Sequence, residues 1–72
     1  MNNKDINYYL NLPYKLVIIP DVEEGGYVAE YPELPGCVTC GNNDEIITLA
    51  EDAKMSWLTV ALENGDEIPE PA

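Results

Sequence analysis

The chain has 72 residues, with 14 acidic and 3 basic side chains and no histidine, a formal charge of −11 at pH 7. That length allows one small domain, which buries only about 60% of its unfolded surface and gains little stability from its own core. With Lys4, Lys15 and Lys54 as the only cations, the chain cannot neutralise a row of phosphates or sit on an anionic membrane, and without histidine it cannot run serine-histidine catalysis.

Residues 1–13 carry Ile6, Tyr9 and Leu10 at three- and four-residue spacing behind Asp5, which predicts a short capped helix in an N-terminal segment ahead of a domain over residues 14–72. Tyr14 opens a β-branched and aromatic run that stops at Pro20-Asp21, so a first strand is expected over residues 14–19. The charged stretch 21–24 ends in Gly25-Gly26, and Tyr27 resumes the strand pattern to Tyr31, predicting a β-hairpin. Pro32, Pro35 and Gly36 mark residues 32–36 as a connection, with a third strand over residues 37–40. From Asn42 to Glu45, capping side chains and first-turn acids announce a helix of residues 44–63. Its apolar stripe is Ile46, Leu49, Ala50, Ala53, Trp57, Val60 and Ala61, with Glu51, Asp52, Lys54 and Ser56 pointing away. Asn64-Gly65 reads as its C-terminal cap, and the tail to Ala72 as extended, with Ile68 its only anchor. The fold class is α+β, a three-stranded antiparallel sheet with one long helix packed on one face.

Alternation places Tyr14, Leu16 and Ile18 on one face of the first strand and Lys15, Val17 and Ile19 on the other. In the second strand Tyr27, Ala29 and Tyr31 oppose Val28 and Glu30. One helix covers one face, so the uncovered side is a candidate interface, unless the tyrosines stand half-exposed or the N-terminal segment folds over them.

Cys37-Val38-Thr39-Cys40 is a C-x-x-C pair. On a strand its α-carbons stand roughly 10 Å apart with side chains on opposite faces, too far for a disulfide, so no redox, metal or cofactor site is assigned. The carboxylates do not converge in the sequence as a two-metal nuclease would require, which leaves a metal-dependent nuclease as a remote alternative and no catalytic residue. The acids suit capture of a basic protein partner, placing carboxylates where that partner holds RNA phosphates. No apolar run reaches membrane-spanning length and no basic-then-apolar leader opens the chain, so a cytoplasmic location without a membrane partner is expected.

From Pro20-Asp21 through Gly25-Gly26-Tyr27 to Tyr31-Pro32-Glu33-Leu34-Pro35-Gly36-Cys37-Val38-Thr39 and Gly41, then Ala53, Trp57-Leu58, Gly65 and Ile68-Pro69-Glu70-Pro71, the chain resembles the HicB family of antitoxins. The resemblance covers about residues 14–71. It implies a truncated RNase H-like fold without nuclease activity. It also implies binding to a HicA-like toxin, a small basic ribonuclease that cleaves messenger RNA, with the antitoxin covering its RNA-binding and active site, and a homo-oligomeric state. Family members often continue into a domain that binds operator DNA; DNA binding is not assigned to residues 1–72 and would need such a C-terminal domain. The toxin-binding residues expected here are Asp21, Glu23, Glu24 and Glu30 as carboxylates, with Tyr27, Tyr31 and Leu34 as apolar anchors. Trp57 is expected in the core. The alternative within the same fold is a module that associates only with itself.

Overall fold

The computed structural model describes residues 4–71, so the ends of the N-terminal segment and tail, residues 1–3 and Ala72, lie outside the described residues. The elements in chain order are helix α1 (Ile6–Leu10), strands β1 (Val17–Pro20), β2 (Tyr27–Glu30) and β3 (Val38–Gly41), and helix α2 (Ile46–Asn64). The strands form one antiparallel sheet in the order β1-β2-β3, with Val17 opposite Glu30 and Tyr27 opposite Pro20 and Gly41. Helix α2 packs on β2 and β3, and α1 packs on α2. This is the α+β class read from the sequence.

Strand β1 is shorter than the expected span of residues 14–19. Continuing its register would set Leu16 against Tyr31 as a pair without ladder bonds, because the Tyr31 N–H points to the β3 side and donates to the Cys37 carbonyl at 3.0 Å. The next partner for Lys15 would be Pro32, which has no N–H, and the Lys15 N–H donates instead to Glu33 Oε1 at 2.8 Å. Tyr14 thereby leaves the sheet and is buried among the core side chains.

The acids expected inside the first turn of α2 precede it. Glu45 is the capping residue but gives no side-chain cap, and the entry is closed by backbone bonds from the Glu45 and Ile46 N–H groups to the Asn42 carbonyl. At the other end Gly65 adopts φ 71°, and the Asp66 N–H reaches back to the Ala61 carbonyl at 2.9 Å, the paired closure that a left-handed glycine permits. The buried positions of α2 are Ile46, Ala50, Leu58 and Ala61. Leu58 replaces Val60, which is half-exposed, and Lys54 does not point into solvent: its Nζ lies 5.3 Å from the centre of the Tyr31 ring.

The core joins Ala29 of β2 and the helix stripe to Leu34, Tyr31 and Cys37 of the loop between β2 and β3, with Tyr9 and Tyr14 entering from the N-terminal side and Ile68 from the tail. Asp5 caps α1 by accepting the Tyr8 N–H at 3.0 Å. The tail has polar anchors beyond Ile68. Tyr14 Oη donates to the Pro69 carbonyl at 2.6 Å, Tyr8 Oη donates to Glu70 Oε1 at 3.0 Å, and Lys4 Nζ lies 3.0 Å from Glu70 Oε2. These contacts hold the Glu70 carboxyl below its ordinary range and raise Lys4 above its own, while burial pushes the Tyr14 phenol up to about 12.

Candidate protein-binding surface

The loop between β1 and β2 is built by its own backbone. The Asp21 N–H donates to the Gly26 carbonyl at 2.9 Å, and the Gly25 N–H donates to the Asp21 carbonyl at 2.8 Å. Asp21 Oδ1 accepts the N–H groups of both Glu23 and Glu24 at 3.2 Å, a side-chain turn that fixes the three residues after it. Gly25 and Gly26 hold φ of 81° and 79°, and a Cβ on Gly26 would stand 2.7 Å from the Gly41 carbonyl oxygen. The glycine pair therefore sets the loop against β3, and Val22, Glu23 and Glu24 project into solvent, Val22 being 93% exposed.

The seven side chains expected at a partner surface do not form one patch. Asp21, Glu23 and Glu24 share the loop, with Asp21 positioning the other two. Glu30 lies at the far end of β2, on the face away from α2, opposite Val17 and Val38. Tyr27 is half-buried on the face that carries Ala29, which α2 covers. Tyr31 and Leu34 are core residues, 5% and 0% exposed, and cannot present their side chains to a partner while the domain is folded. Burial also raises the Tyr31 phenol above its usual range.

Two surface features remain, the first without any sign in the sequence pattern and the second read there only as one of two possible open faces. Val22 sits between acids and would read as loop filler, yet it is the most exposed of the large apolar side chains described. The sheet face opposite α2 gathers Val17, Ile19, Val28 and Val38 around Glu30 and Cys40, with Ile19 and Val38 about half-exposed. It is this face, and not the tyrosine-bearing one, that the helix leaves open. Directly opposed residues in an antiparallel pair share a face, so the alternation defines two faces but not which of them α2 takes.

Cys37 is buried and Cys40 exposed, both free, and burial raises the Cys37 thiol above its ordinary value. Among the described residues no group of three or more aspartates, glutamates or cysteines gathers as a metal site, so the geometry lends nothing to the metal-dependent nuclease alternative. Among the same residues no helix is long and apolar enough to cross a membrane.

Residues 14–72 match the family model described as HicB-like antitoxin of bacterial toxin-antitoxin system. A curated relative, Antitoxin HicB 1 of Photorhabdus laumondii, is 34% identical over 62 residues, covering 85% of this chain and 39% of the relative. The chain thus spans about two fifths of that relative's length. No solved structure gives a significant match.

Proposed function

The chain belongs to the HicB-like antitoxins of bacterial toxin-antitoxin systems, and from that membership we propose that it binds a cognate HicA-like toxin, a small basic ribonuclease, and neutralises it by covering its RNA-binding and active site. It acts as a non-enzymatic inhibitor. The observation that carries the reading is the loop of residues 21–26, whose backbone is closed by Asp21 and the glycine pair and whose tip offers Glu23, Glu24 and an exposed Val22. A rigid loop loses little conformational freedom on docking. Its two carboxylates suit a site that binds phosphates, and the charge of −11 speeds encounter with a basic surface.

Reversing Glu23 and Glu24 to lysine tests this in the complex with a HicA-like toxin. At low salt the affinity should fall by roughly tenfold or more and inhibition of RNA cleavage should weaken in step, with a smaller effect at high salt where exposed charges are screened. Unchanged affinity at low salt would remove the loop from the mechanism.

Self-association is a second reading, favoured by the open sheet face of Val17, Ile19, Val28 and Val38. A domain with so small a core gains from burying such a face against a second copy. Ile19→Lys with Val38→Lys should lower the mass measured by light scattering; a mass equal to that of the wild-type chain would place any assembly elsewhere.

A further inference from the structure

A groove opens at the end of the sheet opposite the 21–26 loop. Val38, which begins β3 opposite Glu30, forms one wall with Pro35, and Ala53, Trp57 and Val60 of α2 form the other, with Pro69 of the tail closing the groove. Its volume is about 650 Å³. Val60 on the helix wall is 54% exposed, so apolar surface of the groove is left to water. The charged residues that line it are Asp66 and Glu67. Both follow the left-handed Gly65, and the Asp66 N–H bond to the Ala61 carbonyl fixes them at the rim. Among the described residues neither has a cation within ion-pair distance.

We propose that this groove is a docking site for a cationic amphipathic segment of a protein partner, large apolar side chains seated between Pro35, Trp57 and Val60 and basic ones meeting Asp66 and Glu67. Charge selects the occupant. A second copy of a chain of −11 would bring acids to an acidic rim, and like charges at an interface are unfavourable. A small apolar ligand needs an enclosure that buries most of its surface, whereas walls half-open to solvent suit a longer segment with one apolar face. The inference goes beyond the antitoxin reading and does not rest on it, since the groove and the 21–26 loop lie at opposite ends of β2.

Trp57 is the one tryptophan of the chain and stands in the groove wall, so its emission reports on this site. The probe is a synthetic lysine-leucine peptide with leucines at helical spacing, titrated into the intact chain at near-physiological salt. A saturable blue shift is expected, with a lysine-serine peptide of equal charge binding more weakly by roughly tenfold or more. Asp66→Lys with Glu67→Lys should lower affinity by roughly tenfold or more, and Glu23→Lys with Glu24→Lys, which changes net charge by the same amount, should leave it within about twofold. Val60→Ser, at a half-exposed position of the helix wall and checked for fold by circular dichroism, should also weaken binding. Equal binding of the lysine-serine peptide, equal losses from the two charge reversals, or undiminished binding by the folded valine variant would each overturn the proposal. None of these results depends on a toxin, so failure here leaves the antitoxin reading standing.

Discussion

The indole N–H of Trp57 donates to the carbonyl oxygen of Pro35 at 2.7 Å, joining the middle of α2 to the loop between β2 and β3. The loop's other backbone bonds are local: Leu34 N–H to the Tyr31 carbonyl, and Cys37 N–H to the Leu34 carbonyl. The indole bond therefore adds a tie between loop and helix that the loop's own turns do not supply. Trp57→Phe keeps an aromatic ring in place and removes the donor, so stability should fall by about 1 kcal/mol, read from urea unfolding followed by far-ultraviolet circular dichroism. An unchanged midpoint would mean that water replaces the indole at Pro35 without cost.

The element order was legible because its punctuation is chemical. Pro20, the Gly25-Gly26 pair, Pro35-Gly36 and Gly65 each demand a turn or a left-handed residue, and four of those glycines do hold positive φ. What stayed hidden was which way side chains face. Tyr27, Ala29 and Tyr31 on one side of β2 and Val28 and Glu30 on the other are both acceptable linings for a helix. The small Ala29, 1% exposed, lies on the side α2 takes, and Leu34 of the loop fills the core beyond it. Leu34 stands between a glutamate and a proline in a loop that reads as solvated, so local composition concealed a fully buried side chain. Of the proposed partner surface only the charge, as acids on the hairpin, was legible; the exposure of Val22 depends on the turn closed by Asp21 and was not.

Leu34→Ala separates a core role from a contact role. Removing a fully buried leucine costs about 2–5 kcal/mol, most of what a domain this small can hold. Thermal melts should show a large loss of stability. An osmolyte that restores the fold should restore partner binding with it, because the side chain is fully buried in the domain's own core. Lost affinity in a variant shown to be folded would return Leu34 to the interface.

Gly25 and Gly26 share a left-handed backbone but not their surroundings. A Cβ at position 25 meets nothing within 4 Å, whereas at position 26 it meets the Gly41 carbonyl oxygen at 2.7 Å. Gly25→Ala should cost about 1–2 kcal/mol, the penalty of that conformation alone. Gly26→Ala should cost clearly more, because β3 backbone must move as well. Chemical denaturation of the two variants side by side gives the comparison, and equal losses would mean that the hairpin and β3 separate freely.

Tyr14 makes the fold sensitive to alkali. Its phenol is pushed from 10.0 to about 12, chiefly by burial and secondarily by the negative Glu70. A folded value above the unfolded one means that the stabilisation is fully present below pH 10 and is lost as pH rises from there towards 12. Tyr14→Phe should remove the latest step in the ultraviolet titration of tyrosinate and, by deleting the bond to the Pro69 carbonyl, loosen the tail. The acid side runs the other way. Glu70 is held below its ordinary 4.5 by Lys4 and Tyr8, so its contribution is present above pH 4.5 and fades as pH falls through the lowered value. Glu70→Gln should flatten that acid arm, and an identical acid profile in the variant would assign it to other carboxylates.

Val22 distinguishes docking from charge. At 93% exposure, packed on nothing and placed between Asp21 and Glu23, its replacement by serine should leave stability within about 0.5 kcal/mol. If the 21–26 loop enters the toxin's basic site, the apolar side chain at its tip is desolvated there, and Val22→Ser should weaken the complex by roughly tenfold through faster dissociation. The charge reversals at Glu23 and Glu24 should act more on the association rate and respond to salt, since steering is electrostatic. Surface plasmon resonance at two salt concentrations resolves the two effects. A Val22→Ser variant with wild-type dissociation would leave the loop with long-range attraction alone and place the close contacts on another part of the chain.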